Sequence, residues 1–287
     1  MRTLILILLL NSFTFCHILL AQEGLCSQGI NNEQNSILFY KKVKELKELN
    51  GENTAILMAK TGRSFIDYPY THKTLETGNV ESLVVNLREF DCTTFVESCL
   101  ALSLTLKSGN VTFANFKHYL KKIRYRDGKI ENYDSRLHYF TDWITDNQKK
   151  GFIIDTTKYL CGILREKQID FMSTHIDAYE QLKNDSNLVP GIREIEKEIT
   201  SQKTYWVPKE NIGSIESSLK EGMIVAITSD IQGLDIAHTG ILVMENGKIH
   251  LLHASSDKGK VVISEKTFQE YIMGNKHQTG AIFLNVK

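Results

Sequence analysis

The sequence predicts an α+β fold, and three observations carry that reading. Apolar residues recur at helical spacing in several segments before about residue 200, while the stretch from Glu221 onward alternates β-rich runs with turn residues. The helices also come first and the strands second, without the regular alternation of parallel α/β folds. With 287 residues, 42% of them hydrophobic, and only 3 prolines, the chain can bury one large core.

The elements follow in order. Arg2 precedes an uncharged, largely apolar stretch from Thr3 to Ala21, which reads as a secretory signal over residues 1–21, cleaved near Ala21. An uncleaved membrane anchor is the competing reading, because the stretch nearly reaches spanning length. Residues 22–35 read as a flexible mature N-terminus and 36–287 as a single domain. "SILFYKKVKELKELNG" has the spacing of a helix that stops at Asn50-Gly51, and "TAILMAKTG" that of a second, shorter one. "SFIDYPYTHKTLE" reads as an ordered loop and "SLVVNL" as a strand leading to Cys92. From Phe95, apolar residues at Val96, Cys99, Leu100, Leu102 and Leu106 predict a mostly buried helix with Cys92 in its first turn.

Thr112 to Ile123 form an amphipathic helix that opens a helical insertion over about 112–200. "RYRDGKIENYDSRLHYFTDWITDNQ" mixes Arg, Tyr, Asp, His and Trp before a helix expected near Ser135, a good N-cap residue. "STHIDAYEQLKND" reads as a helix, and "REIEKEIT" is ambiguous. "EGMIVAITSD", "HTGILVMENGKIHLLHAS" and "GKVVIS" form a β-meander, closed by a short helix from about Ser264 to Ile272 and a final strand, "GAIFLNV".

Lys+Arg and Asp+Glu both total 34, so there is no basic field to hold nucleic acid, which is excluded as a partner. Of the five cysteines, Cys16 lies in the signal and follows Phe15, a poor context for a lipid anchor. Cys26, Cys92, Cys99 and Cys161 remain, with neither metal-ligand spacing nor a dense disulfide framework. A Cys26–Cys161 disulfide stays open.

Asn246-Gly247 is the strongest hairpin signal in the chain, since a type I′ turn needs positive φ at both central positions. A two-residue turn there sets Gly240 opposite His253 and His238 opposite Ser255. His238 and His253 then share a face as diagonal neighbours, roughly 7–8 Å apart at the backbone, and Gly240 leaves room for a ring. His250 pairs with Val243 and points to the other face. A thiol at a helix start beside two imidazoles is what nucleophilic cysteine catalysis needs: helix N–H groups and an imidazolium stabilise thiolate, and a second polar group orients the base. Zinc held by Cys92, His238 and His253 is the alternative, without the compact ligand pairs that usually accompany it. Cys99 fits a small buried hydrophobe.

"FDCTTFVE", followed far downstream by "DIAHTGIL" and "LLHAS", resembles the NlpC-type, papain-like cysteine amidases that cut bacterial cell-wall peptides. With "PYTHKTLE" and "YRDGKIENYDSRLHYFTDW", the chain from Ile37 onward looks like the N-acetylmuramoyl-L-alanine-amidase-like family of that clan. The resemblance implies a papain-like core, a nucleophile helix packed on an antiparallel meander, with extra helices inserted and N-terminal. It implies Cys92 as nucleophile, His238 as general base and His253 as orienting residue, with no metal or other cofactor. The implied substrates are peptidoglycan fragments, cut between the lactyl group of N-acetylmuramic acid and L-alanine, with a preference in some members for 1,6-anhydro-muropeptides. Tyr70, Tyr125, Arg126, Tyr133, Ser135, Arg136, His138 and Trp143 would line the sugar-peptide groove, Arg136 as a fork for a carboxylate. Asp235 matches the family pattern, and Asp91 matches the acidic residue before the nucleophile. The alternatives are a stem-peptide endopeptidase cutting after D-glutamate and a catalytically silent wall-fragment binder. An exported protein of the periplasm or cell envelope, without integral membrane contact once the signal is removed, follows from the same reading.

Overall fold

The computed structural model describes residues 32–49, 51–76 and 80–287. The signal over 1–21, Cys16 and the Cys26 half of the open disulfide lie outside the described residues. Helix α1 covers 32–45, so the expected flexible segment gives way to helix by residue 32. Asn35 is fully buried there, donating to the Val85 carbonyl at 2.8 Å and accepting from the Leu87 N–H at 2.8 Å.

Helices α2 (Thr54–Ser64), α3 (Cys92–Lys107) and α4 (Phe113–Arg124) follow. Asn53 caps α2, and Thr112 caps α4 through the Asn115 N–H at 3.2 Å. At α3 a capping box operates in both directions: the Asp91 carboxylate accepts from the Thr94 N–H at 2.8 Å, and the Thr94 hydroxyl accepts from the Asp91 N–H at 3.0 Å. The expected strand at 82–87 does not form. Side chains take up its backbone groups instead: Asn35 those of Val85 and Leu87, and the Tyr125 hydroxyl the Ser82 carbonyl at 2.8 Å.

The next stretch holds α5 (Phe140–Lys149), β1 (Ile153–Asp155), β2 (Ile163–Arg165), α6 (Phe171–Thr174), α7 (Glu180–Asn184), α8 (Val189–Ser201) and β3 (Thr204–Pro208). It is thus not purely helical. The segment read as one helix at "STHIDAYEQLKND" breaks into α6, a 3₁₀ turn over Ile176–Ala178 and α7. Helix α5 starts at Phe140 rather than near Ser135. The Ser135 hydroxyl donates to the Asn132 carbonyl at 2.6 Å and closes a turn. The chain ends with α9 (Ile212–Ile215), β4 (Ile224–Ser229), β5 (Ile236–Glu245), β6 (Lys248–Ser255), β7 (Lys260–Thr267), α10 (Phe268–Met273) and β8 (Gln278–Val286).

Among the described residues eight strands form one sheet in the order β2-β3-β8-β4-β5-β6-β7, with β1 also on β8, and every pairing is antiparallel. The expected hairpin register is observed: Ile241 opposes Leu252 and Val243 opposes His250. Asn246 and Gly247 take φ of 50° and 79°, as a type I′ turn requires. One sheet face packs Ile241, Val243, Leu252 and Ala254 against α2–α4, and the other packs Leu242, Leu251 and Phe283 against α9 and α10. A separate cluster, including Tyr133, Tyr139, Met172 and Ile192, holds the inserted helices together. No helix among the described residues is long and apolar enough to cross a membrane.

Gly222, between α9 and β4, has φ of +86°, and a Cβ there would sit 2.0 Å from the Ala55 carbonyl oxygen. Both the backbone conformation and the close approach to α2 require glycine. Gly222→Ala is expected to destabilise the protein by about 2 kcal/mol or more. Denaturant titration checks this, and an unchanged midpoint would contradict the close approach.

Candidate active site

Cys92 is the first residue of α3, directly after the capping Asp91. The same carboxylate also accepts from the Thr74 hydroxyl at 2.8 Å, which ties the preceding loop to the helix start. Cys92 and His238 share the wall of a cavity of about 140 Å³, along with Tyr139, Tyr179, Asp235 and Thr239. His238 Nε2 lies 2.6 Å from His253 Nδ1, with ring centroids 4.8 Å apart and planes at 85°. The expected diagonal pair therefore meets. Gly240 makes the room expected of it: a Cβ there would lie 3.2 Å from His253 Cβ and 2.9 Å from the Leu252 carbonyl oxygen. Behind His253, the Tyr271 ring of α10 packs edge-on at 5.3 Å.

The electrostatics differ from the expectation of a helix-stabilised thiolate. Burial, and then the neighbouring Asp91 charge, push the Cys92 thiol up, with Thr239 and Thr93 acting in the opposite sense. Burial pulls both imidazoles down, and His253 is lowered further by His238, while Asp257 opposes the shift on His238. The resting arrangement is a neutral thiol beside a neutral imidazole pair. Tyr70 is pushed up to about 12 by burial and then by the charges of Cys92 and Asp91, and its hydroxyl lies 3.2 Å from His72 Nδ1.

A second cavity of about 250 Å³ also has Cys92 in its wall, with Thr74, Glu76, Glu97, Arg124, Arg136 and Tyr179 among others. Arg136 lines it, but its fork is already engaged: Nη2 donates to Glu76 at 2.7 Å and Nη1 to the Leu75 carbonyl at 3.2 Å. His138 lines both cavities, with Nε2 2.8 Å from the Tyr133 carbonyl oxygen. Tyr133 is buried, with its ring under the Arg136 guanidinium at 4.9 Å and against His138 at 4.2 Å. The Asp235 carboxylate accepts from the Thr141 N–H at 2.8 Å and hydroxyl at 2.9 Å, tying the β4–β5 loop to α5.

Several expected groove residues lie elsewhere. Trp143 is fully buried, stacked on Phe140 at 4.6 Å. Tyr125 is 1% exposed, with its hydroxyl donating to Glu81 at 2.6 Å and to the Ser82 carbonyl. Arg126 forms a bidentate pair with Asp142, at 3.1 and 2.7 Å. Ser135 serves its turn. Neither motif matching nor composition separates a groove residue from one spent on packing, an ion pair or a turn, and those two grounds are all that supports these four assignments. The converse omission is the buried Glu97–Arg124 pair, 2.7 Å apart. Glu97 lies five residues after Cys92 within an otherwise apolar helical run, and that break in pattern was the available signal.

A family profile described as AmiA-like, N-acetylmuramoyl-L-alanine amidase-like, matches residues 60–280. The chain belongs to this family. An N-acetylmuramoyl-L-alanine amidase from Bacteroides uniformis ATCC 8492 is 38% identical over 82% of this chain and 99% of its own, with a TM-score of 0.78. A protein from Bacteroides fragilis, provisionally named a xylanase, is 36% identical over 78% of this chain and 99% of its own, with a TM-score of 0.73. A Legionella pneumophila protein at 21% identity covers 90% of this chain and 95% of its own with a TM-score of 0.65, a likeness of fold alone. No curated protein matches. The amidase-like family makes this chain a hydrolase-type protein of peptidoglycan chemistry, on the mixed α+β scaffold described above.

The depressed imidazoles generate a pH dependence. In the unfolded chain a histidine takes a proton near pH 6.5, whereas in the folded protein His238 and His253 take theirs lower. Below about pH 6.5 the unfolded state binds more protons, so the stability contributed by the neutral pair is present above that pH and lost as pH falls. The melting temperature is expected to drop between about pH 7 and about pH 5, and less steeply in His253→Asn. Parallel curves for the two proteins would rule out the buried pair as the cause.

Proposed function

We propose that this protein is a cysteine-dependent N-acetylmuramoyl-L-alanine amidase. It hydrolyses the amide between the lactyl group of N-acetylmuramic acid and L-alanine in peptidoglycan fragments, with 1,6-anhydro-muropeptides as preferred substrates. The observation that carries this reading is the 2.6 Å contact of His253 with His238, which lines a cavity together with Cys92, in a chain of the amidase-like family. The apolar stretch from Thr3 to Ala21 supports an exported protein of the periplasm or cell envelope, and the order of motifs supports a papain-like, NlpC-type core.

The mechanism follows from the neutral resting site. His238 Nε2 is engaged by His253, which leaves Nδ1 as the nitrogen that receives the thiol proton. As the Cys92 sulfur attacks the lactyl carbonyl, its proton passes to His238, and the imidazolium then donates it to the departing alanine nitrogen. The products of this half-reaction are a thioester on Cys92 and a peptide with a free amino terminus. Water, deprotonated by His238, attacks the thioester and releases the lactyl carboxylate with the thiol restored. The oxyanion takes a hydrogen bond from the Cys92 N–H, a reading supported by the position of Cys92 as the first residue of α3.

Mass spectrometry of purified muropeptides, with anhydro forms included, tests the reading against Cys92→Ser. Free stem peptide and peptide-free sugar are expected with the wild type only. Activity is expected to survive chelators and to be abolished by thiol alkylation; the reverse would point to zinc. Dipeptide products would reassign the protein as a stem-peptide endopeptidase, and binding without any product as a silent wall-fragment binder.

A further inference from the structure

Thr239 follows His238 on β5, opposite Ala226 of β4. It is 1% exposed, and its side-chain hydroxyl has no hydrogen-bond partner among the described residues, sulfur included. A buried hydroxyl in that state costs stability, so its retention asks for a use. The residue lines the cavity that holds Cys92 and His238. Its hydroxyl and its backbone N–H both favour the thiolate form of Cys92, with no hydrogen bond formed to the neutral thiol.

We propose that Thr239 is a catalytic residue that donates from its hydroxyl and backbone N–H to the sulfur of Cys92, holding the thiolate at the moment its proton leaves for His238. The proposal rests on Cys92 being the nucleophile. The resting thiol makes weak demands on a donor, because sulfur of a neutral thiol is a poor acceptor. Once the proton has gone, the same two donors face a full negative charge, and charge-assisted bonds are roughly twice as strong as neutral ones. The orphaned hydroxyl is therefore least satisfied in the ground state and best satisfied as the reaction begins, the condition under which a contact lowers a barrier.

The need for such donors is visible in what else faces the sulfur. Asp91, on the same helix start, is a negative charge that opposes the thiolate. Tyr70 from the preceding loop and Tyr271 from α10 each have Cys92 among the groups that raise them, so neither is a cation. His238, from β5, carries a charge only after it has taken the proton. Lys73, Arg124 and Arg136 share the wall of the larger cavity with Cys92, but both guanidiniums are paired with carboxylates and none of the three is among the leading influences on the thiol. Thr239 and Thr93 supply what opposes burial and Asp91.

The test reads thiolate formation without substrate: the rate of Cys92 alkylation by iodoacetamide against pH, with Cys92→Ser as the blank. Thr239→Val, close in shape and lacking the hydroxyl, is expected to alkylate about tenfold more slowly at neutral pH and to reach half-maximal rate at higher pH, as loss of one bond to a charged group predicts. Thr239→Ser is expected to restore the wild-type profile, which a merely structural role for the side chain would not require. On muropeptides the valine variant is expected to lose kcat with KM unchanged. A valine variant that keeps the wild-type alkylation profile overturns the proposal. Thr239→Ala serves the same reading should valine not fold, as judged by its melting temperature. If alkylation responds as expected while no muropeptide is cut, the proposal stands and the amidase assignment fails; the two failures are distinct.

Discussion

The burial of α3 on every side is the constraint on which the rest of the fold depends. Every residue from Thr94 to Leu106 is buried, between α2 and α4 and beneath β5 and β6. A helix so enclosed cannot leave its polar groups to water. Ser103 donates to the Cys99 carbonyl and Thr105 to the Ala101 carbonyl, each at 2.7 Å, while Glu97 is matched by Arg124 at 2.7 Å. Asp91 and Thr94 satisfy the N-terminal N–H groups by the reciprocal cap. The enclosure ends at the first turn, and Cys92 stands where the helix meets two cavities. The position of the thiol is thus a by-product of core packing, held by the same contacts that hold the domain.

The ion pairs around that turn extend the argument. Arg124 and Glu97 are nearly fully buried, and so is Arg136, held between Glu76 and Glu81. Breaking a buried pair by removing one partner costs far more than the pair contributes, since it strands a charge. The three carboxylates and two guanidiniums therefore act as a rigid wall behind Cys92, and Arg136 contributes to the cavity as a wall residue whose fork is already filled. Glu76 Oε2 and Arg136 Nε, buried and without hydrogen-bond partners among the described residues, mark where that wall still has polar capacity.

What was legible in the sequence was whatever local chemistry decides. Asn246-Gly247 requires two positive φ values, and from that turn alone the register, the facing of His238 and His253, and the room at Gly240 could be read. The buried helix was equally plain, because its apolar pattern is long and nearly unbroken. The failures were decided by distant partners. The strands β1, β2 and β3 are three to five residues long, and β1 and β3 exist because β8, near the far end of the chain, offers its edge. The run at 82–87 has strand composition, yet Asn35 and Tyr125 reach its backbone first. Trp143 and Tyr125 sit in a stretch rich in polar and aromatic residues, and nothing in that composition tells which rings turn inward.

The chemistry of the imidazole pair follows from burial in the same way. A carboxylate at position 253 would hold an imidazolium on His238 more strongly, but it would place a second charge in a site where Asp91 already opposes the thiolate. A neutral histidine avoids that cost. In the proposed mechanism it also determines the tautomers: if Nδ1 of His238 is to receive the thiol proton, Nε2 must carry its own and donate it to Nδ1 of His253, whose remaining proton lies on Nε2. When His238 becomes positive, that 2.6 Å contact turns from a neutral into a charge-assisted bond. The site thus has little charge at rest and gains its stabilising interactions, Thr239 at the sulfur and His253 at the imidazolium, only as the proton moves. With the neighbouring guanidiniums already paired to carboxylates, the proposed mechanism activates the buried thiol in this order, and the neutral pair behind it is what makes the order accessible.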